Sequence, residues 1–140
     1  MKEAPLKTPV LFVSTVALCL ALLAGCGSGT SEIHRYEING TVNFNGEPVP
    51  YGTISLVPDS DQGNSGPGSN GIIENGSFRI PAQQGIIGGP YLVTINGQAA
   101  APQVSGESTQ EGKTLFQDFH TTVTLPAETT TQTFDVTKTR

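Results

Sequence analysis

Cys26 is the residue of this chain best placed to do chemistry, because Leu23, Ala24 and Gly25 stand directly before it. A thiol in that position can accept a diacylglyceryl group as a thioether, and the small neighbours let a peptidase reach the backbone just ahead of it. Other reactive types are thinly spread. The histidines are His34 and His120, and Tyr51 offers an aromatic face that could contact a ligand such as a sugar. Asp59-Ser60-Asp61-Gln62-Gly63-Asn64 opens like a calcium loop. Gly63 then takes a ligand position, Asn64 the turn glycine and Asn70 the closing glutamate, so a solvated loop is expected. No Cys/His set has zinc spacing, and Gly85–Gly89 lacks the lysine and helix of a phosphate loop. The sequence therefore predicts no catalytic set, no metal and no cofactor.

The segment that would position Cys26 has three parts. Lys2 and Lys7 form a short positive start, Val10 to Ala24 is an apolar run, and Gly25, Gly27 and Gly29 end it. About fifteen apolar residues suit the core of an export signal and fall short of the roughly 20 that cross a bilayer. The run and its Leu-Ala-Gly-Cys ending resemble the signal of bacterial lipoproteins. That resemblance implies cleavage before Cys26, lipid on its thiol and a further acyl (palmitate-type) chain on the new N-terminus. Several chains at about 0.8 kcal/mol per buried CH₂ would hold the protein on a membrane. Gly27 rather than Asp behind the cysteine resembles an outer-membrane address in the cell envelope. The expected organisation is signal peptide 1–25, lipidated tether 26–35 and a folded domain 36–140.

Cysteine counting follows from this. Cys19 leaves with the signal and Cys26 carries lipid, so the mature chain has no disulfide. Its charge is 7 − 2 = 5 basic against 12 − 1 = 11 acidic residues, or −6. An acidic balance argues against nucleic acid, which wants a basic stripe, and against electrostatic docking on anionic lipid. The expected partners are the membrane, through the lipid, and an envelope protein.

Periodicity supplies the elements. Tyr36, Ile38, Val42 and Phe44 alternate with Glu37, Asn39, Thr41 and Asn43, the period of a half-buried strand, with Gly40 a point of close approach or a bulge. Asn45-Gly46 turns the chain, and Glu47-Pro48-Val49-Pro50 must lie at an edge or corner. Tyr51–Val57 is a second strand with Ile54 and Leu56 inward. Asn75-Gly76 between apolar runs predicts a two-residue hairpin. It pairs Glu74 with Ser77, Ile73 with Phe78, Ile72 with Arg79 and Gly71 with Ile80, placing Ile73, Phe78 and Ile80 in the core. Tyr91, Val93 and Ile95 align in another strand, as do Phe119, Val123 and Leu125, then Phe134 and Val136. Tyr51 and Tyr91 are both expected to be largely taken up by the core. Residues 59–70 and 96–112 read as loops, the second long and without periodicity. About seven short strands and no amphipathic helix predict an all-β, antiparallel Greek-key β-sandwich.

The stretch Tyr36 to Pro58, with a glycine in strand one, an Asn-Gly turn, Pro48-Val49, Gly52 and then strand two, is similar to the opening of carboxypeptidase regulatory-like (transthyretin-like) domains. With Asn75-Gly76-Ser77-Phe78 and Gly89–Ile95 behind it, the chain looks like the small single-domain lipoproteins of planctomycete-type bacteria. The resemblance spans roughly residues 36–136. It implies a non-catalytic, membrane-anchored structural or protein-interaction module, with a carbohydrate- or small-ligand-binding lipoprotein as the alternative. Enzymes of related folds would need a second domain histidine besides His120, and none is present.

Overall fold

The computed structural model describes residues 33–137, and the expected signal, lipobox and most of the tether lie outside them. Ten strands follow in order: β1 (Ile38–Phe44), β2 (Glu47–Pro48), β3 (Tyr51–Pro58), β4 (Ser69–Glu74), β5 (Ser77–Ile80), β6 (Gly89–Gln98), β7 (Gln103–Ser105), β8 (Ser108–Gln110), β9 (Thr114–Leu125) and β10 (Thr130–Val136). The domain is an all-β, sandwich-like fold built on a curled sheet of order β10-β1-β5-β4-β3-β6-β9, with β2 beside β1.

The Asn75-Gly76 turn seeds this arrangement. Both residues have positive φ, 50° and 75°, which is what a two-residue hairpin turn between right-twisted strands demands. Glu74 pairs with Ser77 and Ile73 with Phe78, as the register predicts. The next two predicted pairs do not form. Ile72 and Gly71 continue along β3, opposite Thr53 and Ile54, while Arg79 and Ile80 continue along β1, opposite Asn39 and Ile38. The hairpin thus parts into two halves, β4-β3-β6-β9 and β5-β1-β10. Parting lets the sheet fold over its own apolar side and bury both halves in one core.

That core joins Ile38, Val42, Phe78, Ile80, Phe134 and Val136 of one half to Ile54, Leu56, Ile73, Tyr91, Val93, Ile95 and Leu125 of the other. Inward and outward positions alternate along β4 and β5, so Ile72 stays half exposed and Arg79 points to water. Val49 and Ile86 are also fully buried, although neither belongs to an alternating run. Gly40 is a close-approach point: a Cβ there would lie 1.9 Å from the Gln132 carbonyl oxygen and 2.9 Å from the Phe78 ring.

One pairing is parallel, β1 with β10. β9 ends at the end of the sheet where Gly89 starts β6. Pro126 to Thr129 then cross to the other half, so β10 sets out beside Ile38 and runs with β1. The segment 96–112 also differs from the expected structureless loop. β6 runs on to Gln98, and β7 and β8 form a small hairpin of their own around Gly106. Its alternation is invisible in sequence because all its residues are exposed.

Candidate functional site

Cys26 and its recognition residues Leu23, Ala24 and Gly25 lie outside the described residues. The tether's root is described, and it is fastened. Arg35 Nε donates to the Gly85 carbonyl at 2.8 Å, and Nη2 donates to the carbonyls of Gln84 at 2.7 Å and Gly68 at 2.9 Å. Ser69 Oγ, 3.3 Å from Nη2, donates in turn to Gly85 at 2.6 Å. A planar guanidinium suits several fixed acceptors at once, as an ammonium would not.

The calcium-like loop uses its polar groups on itself. Asp59 caps a short turn, accepting from the Asp61 N–H at 3.1 Å and from Gln62 Nε2 at 2.6 Å. Asn64, nearly buried, donates to the carbonyls of Pro90 at 2.7 Å and Gly88 at 3.2 Å. Among the described residues no group of three or more His, Cys, Asp or Glu side chains could hold a metal ion.

The tyrosines separate. Tyr91 is fully buried, its hydroxyl accepting from the Ile87 N–H at 3.0 Å. Tyr51 is not a core residue, contrary to expectation. β3 alternates Gly52, Ile54, Leu56 and Pro58 inward against Tyr51, Thr53, Ser55 and Val57 outward, which leaves Tyr51 half buried on the outer face. Its cross-strand neighbours are Glu74 and Gln98. His120 is exposed beside Thr94, with Nδ1 and Oγ1 3.1 Å apart, a surface polar pair.

The same outer face carries a groove of about 720 Å³, the size range of ligand sites. Register explains its floor. Two cross-strand rows lie side by side, Asn96–Thr53–Ile72 and Thr94–Ser55–Asn70. One wall comes from the far strand of the parted hairpin and its exit, through Ser77, Arg79, Pro81 and Gln84. Hydroxyls and amides supply its polar groups, while most of the exposed lining is apolar, with Ile54, Ile72, Phe78 and Pro81 contributing. Charge is nearly cancelled: Glu74 lines the groove, and Arg79 reaches out of it to Glu37 at 2.7 Å. That hydrogen bond is the chief cause holding the Glu37 carboxyl below its usual value, and it holds the guanidinium above its own. With a lowered folded pKa, the pair is intact above the ordinary carboxylate range and is lost as pH falls through the lowered value. It is a surface pair and weak as a source of stability.

The second open feature is the edge of β9. Among the described residues it pairs with β6 alone, and from Phe119 to Leu125 it carries no Lys, Arg, Asp, Glu or Pro. Just before this stretch Asp118 adopts φ 50° and its N–H is capped by Asn96 Oδ1 at 2.8 Å, beside a break in register. Phe119 and Val123 are half buried against the core.

Compared with known protein families, with characterised proteins and with solved structures, the chain matches none. Sequence reasoning missed the groove, and Tyr51 is not among the residues that line it. The signal available was the outward row Thr53, Ser55, Asn70, Thr94 and Asn96, whose members converge only through strand pairing.

Proposed function

We propose that this chain is a lipoprotein of the bacterial cell envelope, anchored through lipid on Cys26. Its β-domain, of the carboxypeptidase regulatory-like type, serves as a non-catalytic protein-interaction module. The anchor rests on the signal and the Leu23-Ala24-Gly25-Cys26 motif. The interaction role rests on one observation, the unguarded edge of β9. Exposed edges present unpaired N–H and C=O groups, and proteins ordinarily blunt them with charge, proline or short length. Phe119–Leu125 has none of these devices, and partner strands that add to such an edge gain main-chain hydrogen bonds at every second residue. The half-buried Phe119 and Val123 would be covered by the added strand.

Two measurements test the two halves of this reading. Labelled fatty acid should enter the protein in living cells and be lost with Cys26→Ser; soluble protein with an unmodified Cys26 overturns the anchor. Photo-crosslinkers at Thr122 or Thr124 should trap a protein in intact cells, and a charge at the edge, Thr122→Lys, should abolish the adduct formed from Thr124. Adducts as abundant from Thr133, on the opposite edge strand, overturn the β9 interface.

A further inference from the structure

We propose that the domain lies against the bilayer through the end of the fold where its tether enters, with the exposed aliphatic pair Val57 and Leu92 touching neutral lipid. The inference rests on the lipid anchor at Cys26 and adds a second, non-covalent contact to it.

Three observations carry it. The first is connectivity. Seven residue steps separate Cys26 from Ile33, at most about 25 Å when extended. Arg35 is fastened to the carbonyls of Gly68, Gln84 and Gly85. Gly68 precedes Ser69, which pairs with Leu56, so Arg35 holds the entry point at the end of β3 that carries Val57. The second is where apolar side chains are left open. Val57 on β3 and Leu92 on β6 are cross-strand partners on the outer face, 50% and 46% exposed. Ile33, two residues before Arg35, is 54% exposed. Scattered aliphatics of this kind are ordinary on a surface; these three gather at the end that the anchor brings closest to lipid. The third is charge. The cross-strand rows at this end, Val57–Leu92–Thr122 and Pro90–Thr124, contain no charged side chain. In the connections beside them Asp59 is buried in its own turn, leaving Asp61 and Glu128. The opposite ends of the strands and the segment after β6 carry Glu47, Glu74, Glu107, Glu111 and Asp135, with Lys113 among them. Lipid that covers the tether end strips water from few ions, whereas covering the acidic end would strip it from several.

Because the anchor already holds the domain beside the surface, the contact is intramolecular in effect, and a small apolar area suffices. Lipid under this part of the outer face leaves the main-chain edge of β9, which points along the plane of the sheet, open to a partner strand.

The experiment is fluorescence quenching on the full-length mature lipoprotein in phosphatidylcholine vesicles, with nitroxide-labelled lipid as the quencher. With Cys19 removed and Cys26 lipidated, an introduced cysteine is the one free thiol. A fluorophore on Thr122→Cys, the cross-strand neighbour of Leu92, should be quenched, and one on Thr109→Cys or Thr133→Cys should not. Val57→Ser combined with Leu92→Ser should lower the Thr122→Cys signal to the level of the other two sites, while the protein still floats with the vesicles through its lipid. Val57→Leu combined with Leu92→Ile should retain the quenching, which separates lost apolar contact from misfolding. Three results overturn the contact and leave the anchor standing: quenching absent or equal at all three sites, quenching indifferent to the double serine variant, or quenching seen only with anionic lipid. Protein that fails to float, with Cys26 unmodified, overturns the anchor and the contact with it.

Discussion

Phe78 and Arg79 are adjacent in sequence and opposite in consequence. Phe78 is 4% exposed and packs toward Phe134, ring centroids 6.2 Å apart, while Arg79 projects into water and meets Glu37. Phe78→Ala should cost about 3–5 kcal/mol through lost burial and a cavity. Arg79→Ala should move the urea midpoint far less. Equal shifts in denaturant titrations would show that the hairpin's register is wrong. The same one-residue logic separates Tyr51 from Tyr91: a strand's side chains alternate faces, so parity alone sends one outward and the other into the core. Both follow a proline, and what tells them apart is phase: Tyr51 is out of step with Ile54 and Leu56, whereas Tyr91 is in step with Val93 and Ile95.

At the scale of elements, irregular segments here are held by polar clips. Arg35 ties the start of the domain to the segments at Gly68 and Gln84–Gly85, and Asn64 ties the long β3–β4 connection to Gly88 and Pro90. Arg35→Ala removes a charged donor from three carbonyls and should destabilise the domain by about 1.5–3 kcal/mol. Arg35→Lys should recover little of it, because one ammonium cannot replace the planar fork. Urea unfolding checks the size. Faster amide exchange at Ile86, whose N–H donates to the Tyr36 carbonyl at 2.9 Å, checks the place. Full rescue by lysine would mean that charge, not geometry, holds the clip.

Across the whole domain, stability depends on one shared core, since residues 33–137 contain no cysteine and so no disulfide. A small domain of this kind has about 5–15 kcal/mol in hand. Because the two halves of the parted hairpin bury the same cluster, they should unfold together. Native-state hydrogen exchange should give Val42 on β1 and Val93 on β6 the same, global protection, and both should collapse at one denaturant concentration. Val104, 76% exposed on β7, should exchange through local opening far below that level. Separate transitions for Val42 and Val93 would show that the halves are independent units.

What the sequence determined by itself was everything set by near neighbours. Period-two alternation placed Ile38, Val42, Ile54, Leu56, Ile73, Phe78, Ile80, Val93 and Ile95 in the core, and the positive φ that Asn75-Gly76 requires located the hairpin. Such signals are read within a few residues, and the all-β class follows from adding them up. Tertiary structure decided which strand lies beside which. The predicted Ile72–Arg79 pair fails because folding the sheet over its apolar side drives β4 and β5 apart. β10 runs parallel to β1 because the chain crosses between halves at one end. Val49 and Ile86 are buried by position at corners, without any alternation to announce them. The groove is the extreme case: Thr53, Asn70, Thr94 and Asn96 come from three strands and lie far apart along the chain. Only the ladder's hydrogen bonds, which pair residues without regard to sequence distance, bring them onto one face beside Tyr51.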